Sequence, residues 1–203
     1  EQGTAERAAE VSQVPIINAG DGAGQHPTQA LLDLYTIERE FGRIDGAHVA
    51  IVGDLRYYRS ARSLSYLLSK YKDITITGVS MPELTMTEEL KSHLAEHGVK
   101  YLETDSLADA MKDADVIYQT RIQKERLTPE AYARTKGHYV IDRPLADSMK
   151  EGAIIIHPLP RVGEITPDVD QSPHAVYFKQ VGYGVLVRMA ILKLLFNPEK
   201  SVV

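Results

Sequence analysis

Three short stretches that follow predicted strands carry arginines. Arg56 and Arg59 come after the first apolar run, Arg121 and Arg126 after the fourth, and Arg161 after the fifth. In an open parallel sheet, ligands bind in the crevice beyond the carboxyl ends of the strands, so these side chains are expected to converge. The planar guanidinium group matches a carboxylate or a phosphate with two hydrogen bonds. The stretches indicate a site for a small substrate with at least two anionic groups, although any single arginine also fits an exposed ion pair.

A loop with two glycines and a histidine comes just before the first long predicted helix. Gly22 and Gly24 let the backbone approach a ligand, and the helix N-terminus behind the loop favours negative charge. His26 is placed to donate a hydrogen bond to a ligand oxygen, with a helix cap or a surface position as the alternatives. His157, which follows a buried strand, is interpreted as structural.

Apolar runs that alternate with helical segments define the elements that must position these residues. Short runs rich in valine and isoleucine are typical of buried parallel strands, and helical segments between them indicate strand-helix-strand units. The sequence therefore predicts a doubly wound α/β fold, with a five-stranded parallel sheet, helices on both faces and a long C-terminal helix. The predicted strands cover residues 48–54, 74–80, 99–103, 116–120 and 153–157.

Capping signals set the boundaries of the predicted helices. Thr85, followed by Glu88 three residues later, resembles a capping box. Ser172 is expected to cap a long apolar helix over residues 173–196, and a helix over residues 28–41 carries an apolar stripe. Because neither long helix lies between two strands, both are expected to pack against another domain. Shorter helices are predicted over residues 106–114 and 142–152 and from Thr128-Pro129 onward.

The composition argues against several classes of protein. The chain has no cysteine, which fits a reducing compartment, so we expect a cytoplasmic protein. A net charge of -5 argues against nucleic-acid binding, and no apolar run reaches the roughly 20 residues of a membrane span. Glycine-rich nucleotide motifs are missing, and the seven histidines are scattered without a close pair at helix spacing. We therefore expect no cofactor and no metal.

Four motifs, in order along the chain, resemble the aspartate carbamoyltransferases. They are HPTQALLDLYTI from His26, VGDLRY from Val52, TRIQKER from Thr120 and HPLPRV from His157. The motif TRIQKER is similar to the aspartate branch rather than to the related ornithine carbamoyltransferases. The resemblance starts near Gly3 and is strongest to archaeal members, but it covers only the second half of the family's subunit.

The resemblance implies transfer of a carbamoyl group from carbamoyl phosphate to L-aspartate, which gives N-carbamoyl-L-aspartate in pyrimidine biosynthesis. The implied catalytic residues, in contact with the carbamoyl group, are His26 and Gln29. Arg59 would hold the α-carboxylate of aspartate, and Arg121 and Gln123 its side-chain carboxylate. The remaining implied substrate-binding groups are Ser60 and the backbone carbonyls of Pro158 and Leu159, which would receive the carbamoyl amide and the attacking amine.

The resemblance also implies a domain organisation. Residues 1–27 would be the remnant of the preceding carbamoyl-phosphate domain and its binding loop, 28–46 a linking helix, 47–172 the aspartate-binding domain and 173–203 a C-terminal interdomain helix. The phosphate loop of the family lies in the N-terminal half, so this chain alone is expected to be inactive and to self-associate or capture a partner. The complete subunit is expected to be a homotrimer, and regulatory chains are candidate partners.

Four positions depart from the family's pattern. Tyr58 stands where the family has glycine, Ser60 where it has threonine, Arg62 where it has histidine and Gly163 where it has aspartate. If the glycine has a positive φ, Tyr58 would be strained by about 1 kcal/mol and would displace the loop that carries Arg59. The alternative is therefore a non-catalytic carbamoyltransferase-like paralogue that acts as an assembly or regulatory partner, and an unrelated binding domain is a third interpretation.

Overall fold

The computed structural model describes residues 1–135 and 137–196. None of the described helices combines the length and apolar character that crossing a bilayer requires. Short 3-10 helices cover Pro82–Leu84, Lys124–Arg126 and Pro167–Gln171. In chain order the other elements are α1 (Thr4–Val11), α2 (Pro27–Glu40), β1 (His48–Val52), α3 (Arg59–Leu68), β2 (Thr75–Val79), α4 (Glu88–Glu96), β3 (Lys100–Thr104), α5 (Leu107–Asp113), β4 (Val116–Gln119), α6 (Pro129–Thr135), α7 (Arg143–Asp147), β5 (Ile154–Ile156) and α8 (Tyr177–Phe196).

Within these residues, the strands form one five-stranded sheet in the order β3-β2-β1-β4-β5. Every pairing is parallel, and the central strand β1 pairs Ile51 with Gly78 of β2 on one side and with Tyr118 of β4 on the other. The chain winds outward from β1 to β3 and then returns to β4, so the direction of winding reverses between β1 and β4. A crevice opens beyond the carboxyl ends of strands at such a point. The predicted doubly wound sheet is confirmed.

Helices cover both faces of the sheet, as predicted. Alternate residues of a strand point to opposite faces, so Val49 and Ile51 of β1 belong to one buried cluster and Ala50 and Val52 to another. The first cluster includes apolar side chains of α2, α3 and α4, and the second includes those of α5 and α7. The five predicted strands are confirmed with ends that differ by one or two residues.

Two predicted helix starts are wrong. Helix α4 is capped by Thr87, whose hydroxyl oxygen accepts from the backbone N–H of Leu90 at 3.4 Å. Thr85 instead ends the 3-10 helix before it. Ser172 does not cap α8, because residues 173–174 form a turn and Ala175 then bridges to β5: Ile155 donates to the carbonyl of His174 at 2.7 Å. Helix α8 therefore begins only at Tyr177.

The helix predicted over residues 142–152 is shorter than expected. Asp142 caps α7, since its carboxylate accepts from the N–H of Leu145 at 3.0 Å, but the helix ends at Asp147. The helices predicted over residues 106–114 and from Thr128-Pro129 onward are confirmed as α5 and α6. Residues 197–203, the end of the predicted interdomain helix, lie outside the described part of the chain.

Helix α3, between β1 and β2, is absent from the sequence prediction. Its sequence contains several serines, which disfavour helix interiors. Yet Ala61, Leu64 and Leu68 are fully buried at positions i, i+3 and i+7 of one helix face. That spacing is the signal that identifies the helix. The element matters because its first residue is Arg59.

The two long helices differ in how much of their apolar surface this chain buries. Helix α2 packs against α3 and α8; of its predicted apolar stripe Leu34 is buried and Tyr35 is half-buried, but Leu31 is exposed, so this chain covers the stripe only in part. Helix α8 buries Tyr177, Gln180 and Gly184 and leaves many large apolar side chains exposed. They include Phe178, Val181, Val185, Leu186, Met189, Leu192 and Phe196. Monomers rarely expose a patch of this kind, which fits a surface that another protein segment covers.

The close approach of β1 and β4 at the crevice gives a test of the fold. Gly53 has a φ of +108°, and a Cβ atom there would lie 2.7 Å from the backbone oxygen of Thr120. Gly53→Ala should therefore lower the free energy of unfolding in urea by about 2–4 kcal/mol, from backbone strain and steric overlap together. Gly98→Ala is the matched control, because Gly98 has a φ of +74° but open space around it, and should lose about 1 kcal/mol. Equal losses would show that the contact with Thr120 is unimportant.

Candidate active site

A cavity of about 340 Å³ lies at the carboxyl ends of β1, β4 and β5. It brings together all the predicted site residues: His26, Gln29, Arg59, Ser60, Arg121, Gln123, Pro158 and Leu159. Tyr58 and Arg126 line the same cavity and were not among the predicted site residues. Of the arginines at strand ends, Arg161 is elsewhere, in an ion pair with Asp170. The predicted convergence is therefore confirmed for Arg59, Arg121 and Arg126, whereas Arg56 does not line the cavity.

Arg59 is held between the first turn of α3 and the loop before α2. Its Nη1 donates to the backbone oxygen of Gly22 at 3.1 Å. Gly20 has a φ of +120°, and a Cβ atom there would lie 2.5 Å from the Cζ of Arg59. The loop backbone thus approaches the guanidinium so closely that only glycine fits at position 20. This contact fixes where the positive charge of Arg59 lies.

The residues near Arg59 that depart from the family's pattern do not disturb the loop that carries Arg59. Tyr58 has a φ of -82°, so the strain expected for a tyrosine at this position is absent. Arg62 points away and pairs with Glu89 of α4, with oxygen contacts at 3.0 and 2.9 Å. Burial raises the pKa of Tyr58 to about 12, so its phenol is neutral. Gly163 has a φ of +125°, a conformation in which glycine is strongly favoured over aspartate.

The segment after β4 carries the second cationic group of the cavity, the guanidinium of Arg121. Nε of Arg126 donates to Oε1 of Gln123 at 2.8 Å, so the group that Gln123 can offer a ligand is its amide N–H. Burial raises the pKa of Asp54, while backbone hydrogen bonds from Tyr57, Arg56 and Gln123 and the charge of Arg126 oppose that rise. Asp54 therefore links the end of β1 to the segment that contains Arg121.

His26 is a neutral group at physiological pH. Burial lowers its pKa to about 4, and the positive charges of Arg59 and Arg188 add to this effect. Its backbone N–H donates to Oγ of Ser63 on α3 at 2.8 Å, which holds the residue at the start of α2. His26 can therefore offer a ligand a neutral imidazole donor. Arg188, on α8, is the second positive charge that lowers the pKa of His26, and it was not among the predicted site residues.

A buried histidine shapes the segment after β5. The N–H of Leu159, which has a φ of +54°, donates to Nδ1 of His157 at 2.7 Å. Nε2 of His157 therefore carries the proton and donates to Oε1 of Glu164 at 2.8 Å. The hydrogen bond to Leu159 supports a left-handed conformation that costs a non-glycine residue about 1–2 kcal/mol. The structural role predicted for His157 is confirmed.

The expectation that no two histidines form a close pair at helix spacing is wrong. His93 and His97 lie four residues apart on α4, and their rings stack with centroids 4.0 Å apart. Two side chains are too few for a zinc site, which usually has at least three protein ligands. Across residues 1–135 and 137–196 no group of three or more histidine, aspartate or glutamate side chains could hold a metal ion.

Comparison with known proteins decides the family. The family model described as "Aspartate/ornithine carbamoyltransferase, Asp/Orn binding domain" matches residues 45–195. This chain belongs to the aspartate/ornithine carbamoyltransferase family. The model of the family's carbamoyl-P binding domain matches residues 1–39, so the cavity takes His26 and Gln29 from one matched region and its arginines from the other.

Relatives with known sequences or structures are aspartate carbamoyltransferases. The catalytic subunit from Methanocaldococcus jannaschii is 53% identical over 98% of this chain and 65% of the relative. A solved structure of that subunit matches with a TM-score of 0.88 and 50% identity, covering 100% of this chain and 66% of the solved chain. A Trypanosoma cruzi aspartate transcarbamoylase in complex with N-(phosphonacetyl)-L-aspartic acid matches with a TM-score of 0.88 and 42% identity, covering 95% and 62% of the two chains.

Plant members of the carbamoyltransferase family are similar too, but longer. Aspartate carbamoyltransferase 2 of Pisum sativum, which is chloroplastic, is 50% identical over 96% of this chain and 51% of the relative. This chain thus spans about half the length of the curated plant relatives that it matches. The predicted cytoplasmic location stays a prediction.

The cationic surroundings of His26 can be measured directly. In an NMR titration of the histidine ring protons, the pKa of His26 should lie near 4. Arg59→Ala and Arg188→Ala should each raise it towards 6.5, since each removes a positive charge that disfavours the imidazolium. Arg62→Ala is the matched control, because the Arg62 guanidinium pairs with Glu89 on α4. A His26 pKa above 6 in the unaltered chain would contradict the electrostatics described for this cavity.

Proposed function

We propose that this chain provides the aspartate-binding part of an aspartate carbamoyltransferase. That enzyme transfers the carbamoyl group of carbamoyl phosphate to L-aspartate and releases phosphate and N-carbamoyl-L-aspartate, in pyrimidine biosynthesis. The observation that carries the proposal is the convergence of Arg59 and Arg121 in one cavity with the Pro158-Leu159 segment. The relatives support it, because they are named as aspartate carbamoyltransferases at about 50% identity.

Recognition of aspartate is assigned to the two sides of the crevice. A dicarboxylate needs two cationic partners with a fixed separation, and arginine binds carboxylates with two parallel hydrogen bonds. We assign the α-carboxylate to Arg59, which α3 and the Gly20 loop hold in place. The side-chain carboxylate is assigned to Arg121 and to the amide N–H of Gln123, which Arg126 orients. Ser60, buried in the first turn of α3, lies beside them.

The chemistry assigned to the cavity is direct attack of the aspartate amine on the carbamoyl carbon. A new N–C bond forms, the carbonyl oxygen gathers negative charge, and the C–O bond to phosphate then breaks, with the proton of the amine passing to the departing phosphate. Neutral His26 is suited to donate a hydrogen bond to that oxygen, because its low pKa keeps it from acting as a base. The carbonyls of Pro158 and Leu159 would accept N–H groups of the carbamoyl amide and the attacking amine. Holding both substrates together supplies further rate enhancement.

The exposed face of α8 fits the rest of the proposed enzyme. The carbamoyl-P binding domain of the family matches only residues 1–39 here, and α8 exposes Phe178, Val185 and Met189. We assign this face to contact with the remainder of that domain, which would also supply the phosphate-binding groups. A homotrimer and regulatory chains stay predictions from the family resemblance.

The first test of the function compares the chain with a complete subunit. We define the complete subunit as this chain's Asp/Orn binding domain preceded by an entire carbamoyl-P binding domain, such as that of the M. jannaschii relative. The complete subunit should convert carbamoyl phosphate and L-aspartate to N-carbamoyl-L-aspartate. The chain alone should show no measurable transfer, since each positioned donor is typically worth about 100-fold or more. Robust turnover by the chain alone, or none by the complete subunit, would reject the proposal.

A second test concerns Arg121. In the complete subunit, Arg121→Ala should raise the KM for aspartate by about 100-fold, because breaking a buried charge pair at one end costs about 3 kcal/mol. The KM for carbamoyl phosphate should change by less than about threefold. Arg134→Ala is the matched control: Arg134 is half-exposed in an ion pair with Glu83, and such pairs contribute little. Equal damage to the use of both substrates would show that Arg121 is structural.

A further inference from the structure

One carboxyl group, at Asp33 on α2, is completely buried beside the cavity and has no place in the proposed chemistry. Three side chains from different elements donate to it. Nε2 of Gln29 on α2 and Nε2 of Gln180 on α8 both donate to Oδ1, at 2.8 and 2.6 Å. The hydroxyl of Tyr118 on β4 donates to Oδ2 at 2.9 Å. The carboxyl group thus joins two helices to the sheet.

The hydrogen bond from Gln29 sets which end of that side chain can meet a ligand. Because Nε2 is engaged by Asp33, Oε1 is the group that Gln29 can present to the cavity that it lines. A carboxamide rotated by half a turn would present N–H groups instead. The contact with Asp33 therefore makes Gln29 a hydrogen-bond acceptor towards a ligand.

A second chain of hydrogen bonds runs from Asp33 to the segment after β5. Oε1 of Gln180 accepts the backbone N–H of His157 at 2.8 Å, while Nε2 of the same amide donates to Asp33. Nδ1 of His157 in turn accepts the N–H of Leu159 at 2.7 Å. Gln180 and His157 are fully buried, so water does not compete for these bonds. The carbonyls of Pro158 and Leu159 are thereby tied to the same carboxyl group as Gln29.

We propose that Asp33 is a positioning residue that aligns all the hydrogen-bond acceptors of the carbamoyl site. It acts on Gln29 directly and on the Pro158-Leu159 segment through Gln180 and His157. These acceptors would bind the N–H groups of the carbamoyl amide and of the attacking amine, whereas the arginines on the other side of the cavity bind carboxylates. The inference rests on the proposed function for the identity of the ligand, and on the hydrogen bonds alone for the alignment.

Asparagine is the conservative replacement for this residue. Burial raises the pKa of Asp33 to about 7, against the three hydrogen bonds and the charge of Arg188, so a neutral group is compatible with the site near pH 7. Asparagine keeps one oxygen for Gln29 and Gln180, and its NH₂ group can donate to the Tyr118 oxygen in place of the reverse bond. Alanine removes the acceptor altogether and leaves buried amide N–H groups unpaired.

The test separates positioning from stability in the complete subunit. Asp33→Ala should lower kcat by about 10–100-fold, as expected for misplaced contacts, with the KM for aspartate within about threefold. Asp33→Asn should keep kcat within about fivefold of the unaltered enzyme. Gln180→Leu, which cuts only the second chain of bonds, should give an intermediate loss. Asp115→Ala is the matched control, because Asp115 is a buried carboxyl that accepts the N–H of His48 at the opposite, amino end of the strands.

A positional measurement keeps this inference distinct from the proposed function. In a crystal structure of Asp33→Ala, the Gln29 carboxamide and the Leu159 backbone should move relative to the unaltered protein, and in Asp33→Asn they should not. If Asp33→Ala does not fold, Gln180→Leu should still displace Leu159 while Gln29 stays in place. Unmoved acceptors, or a kcat lowered no more than in Asp115→Ala, would overturn the role of Asp33. Inactivity of the unaltered complete subunit would reject the proposed function but not the alignment.

Discussion

The strands β1 and β4 are neighbours in the sheet, but the chain segments that follow them run over opposite faces. The cavity forms because these two segments separate. Helix α3 packs with α2 and α4 on one face, whereas the chain after β4 leads to α6 and to α7 on the other. The first residues of each connection therefore face each other across a gap. Gly53 lets the two strand ends approach, since it lies against the Thr120 carbonyl. Among the described strands, β1 and β4 are the neighbouring pair at which the direction of winding reverses, so the crevice opens at their carboxyl ends. Arg59 and Arg121 therefore line the same cavity.

The positive charge collected in the gap has two consequences at once. Arginines are the groups that a dicarboxylate needs, and their charge also lowers the pKa of His26. Burial is the main cause of the low pKa of His26, and the charges of Arg59 and Arg188 add to it, so the imidazole is neutral and can act as a hydrogen-bond donor and not as a base. On the far side, the buried carboxyl of Asp33 faces amide and phenol donors and forms no direct ion pair with the residues that the structure describes. The proposed function therefore uses a cationic side of the cavity for carboxylates and an acceptor side for N–H groups.

The parallel sheet and the convergence of Arg59 and Arg121 could be predicted from the sequence pattern, because buried strands are continuous apolar runs and ligand groups follow their carboxyl ends. Gln29 and Ser60 were implied only by the family resemblance, and Tyr58 was missed. Helix α3 could not be predicted, since its serines obscure an apolar face that becomes clear only once Ala61, Leu64 and Leu68 are counted at helical spacing. The start of α8 also escaped prediction, because a turn at residues 173–174 and a bridge from Ala175 to β5 delay the helix until Tyr177. The roles of Asp33 and Arg188 depend on contacts between distant parts of the chain, which local patterns do not encode.

In the proposed enzyme, Arg59 and Arg121 divide the two carboxylates of aspartate between them. The most direct measurement is a crystal structure of the complete subunit with N-(phosphonacetyl)-L-aspartic acid, the ligand of the T. cruzi relative. We expect one carboxylate on the guanidinium of Arg59, the other on Arg121 and the Gln123 amide, and the ligand's amide N–H towards the Pro158-Leu159 carbonyls. Both carboxylates on one arginine, or a ligand bound outside the 340 Å³ cavity, would contradict this division of the carboxylates.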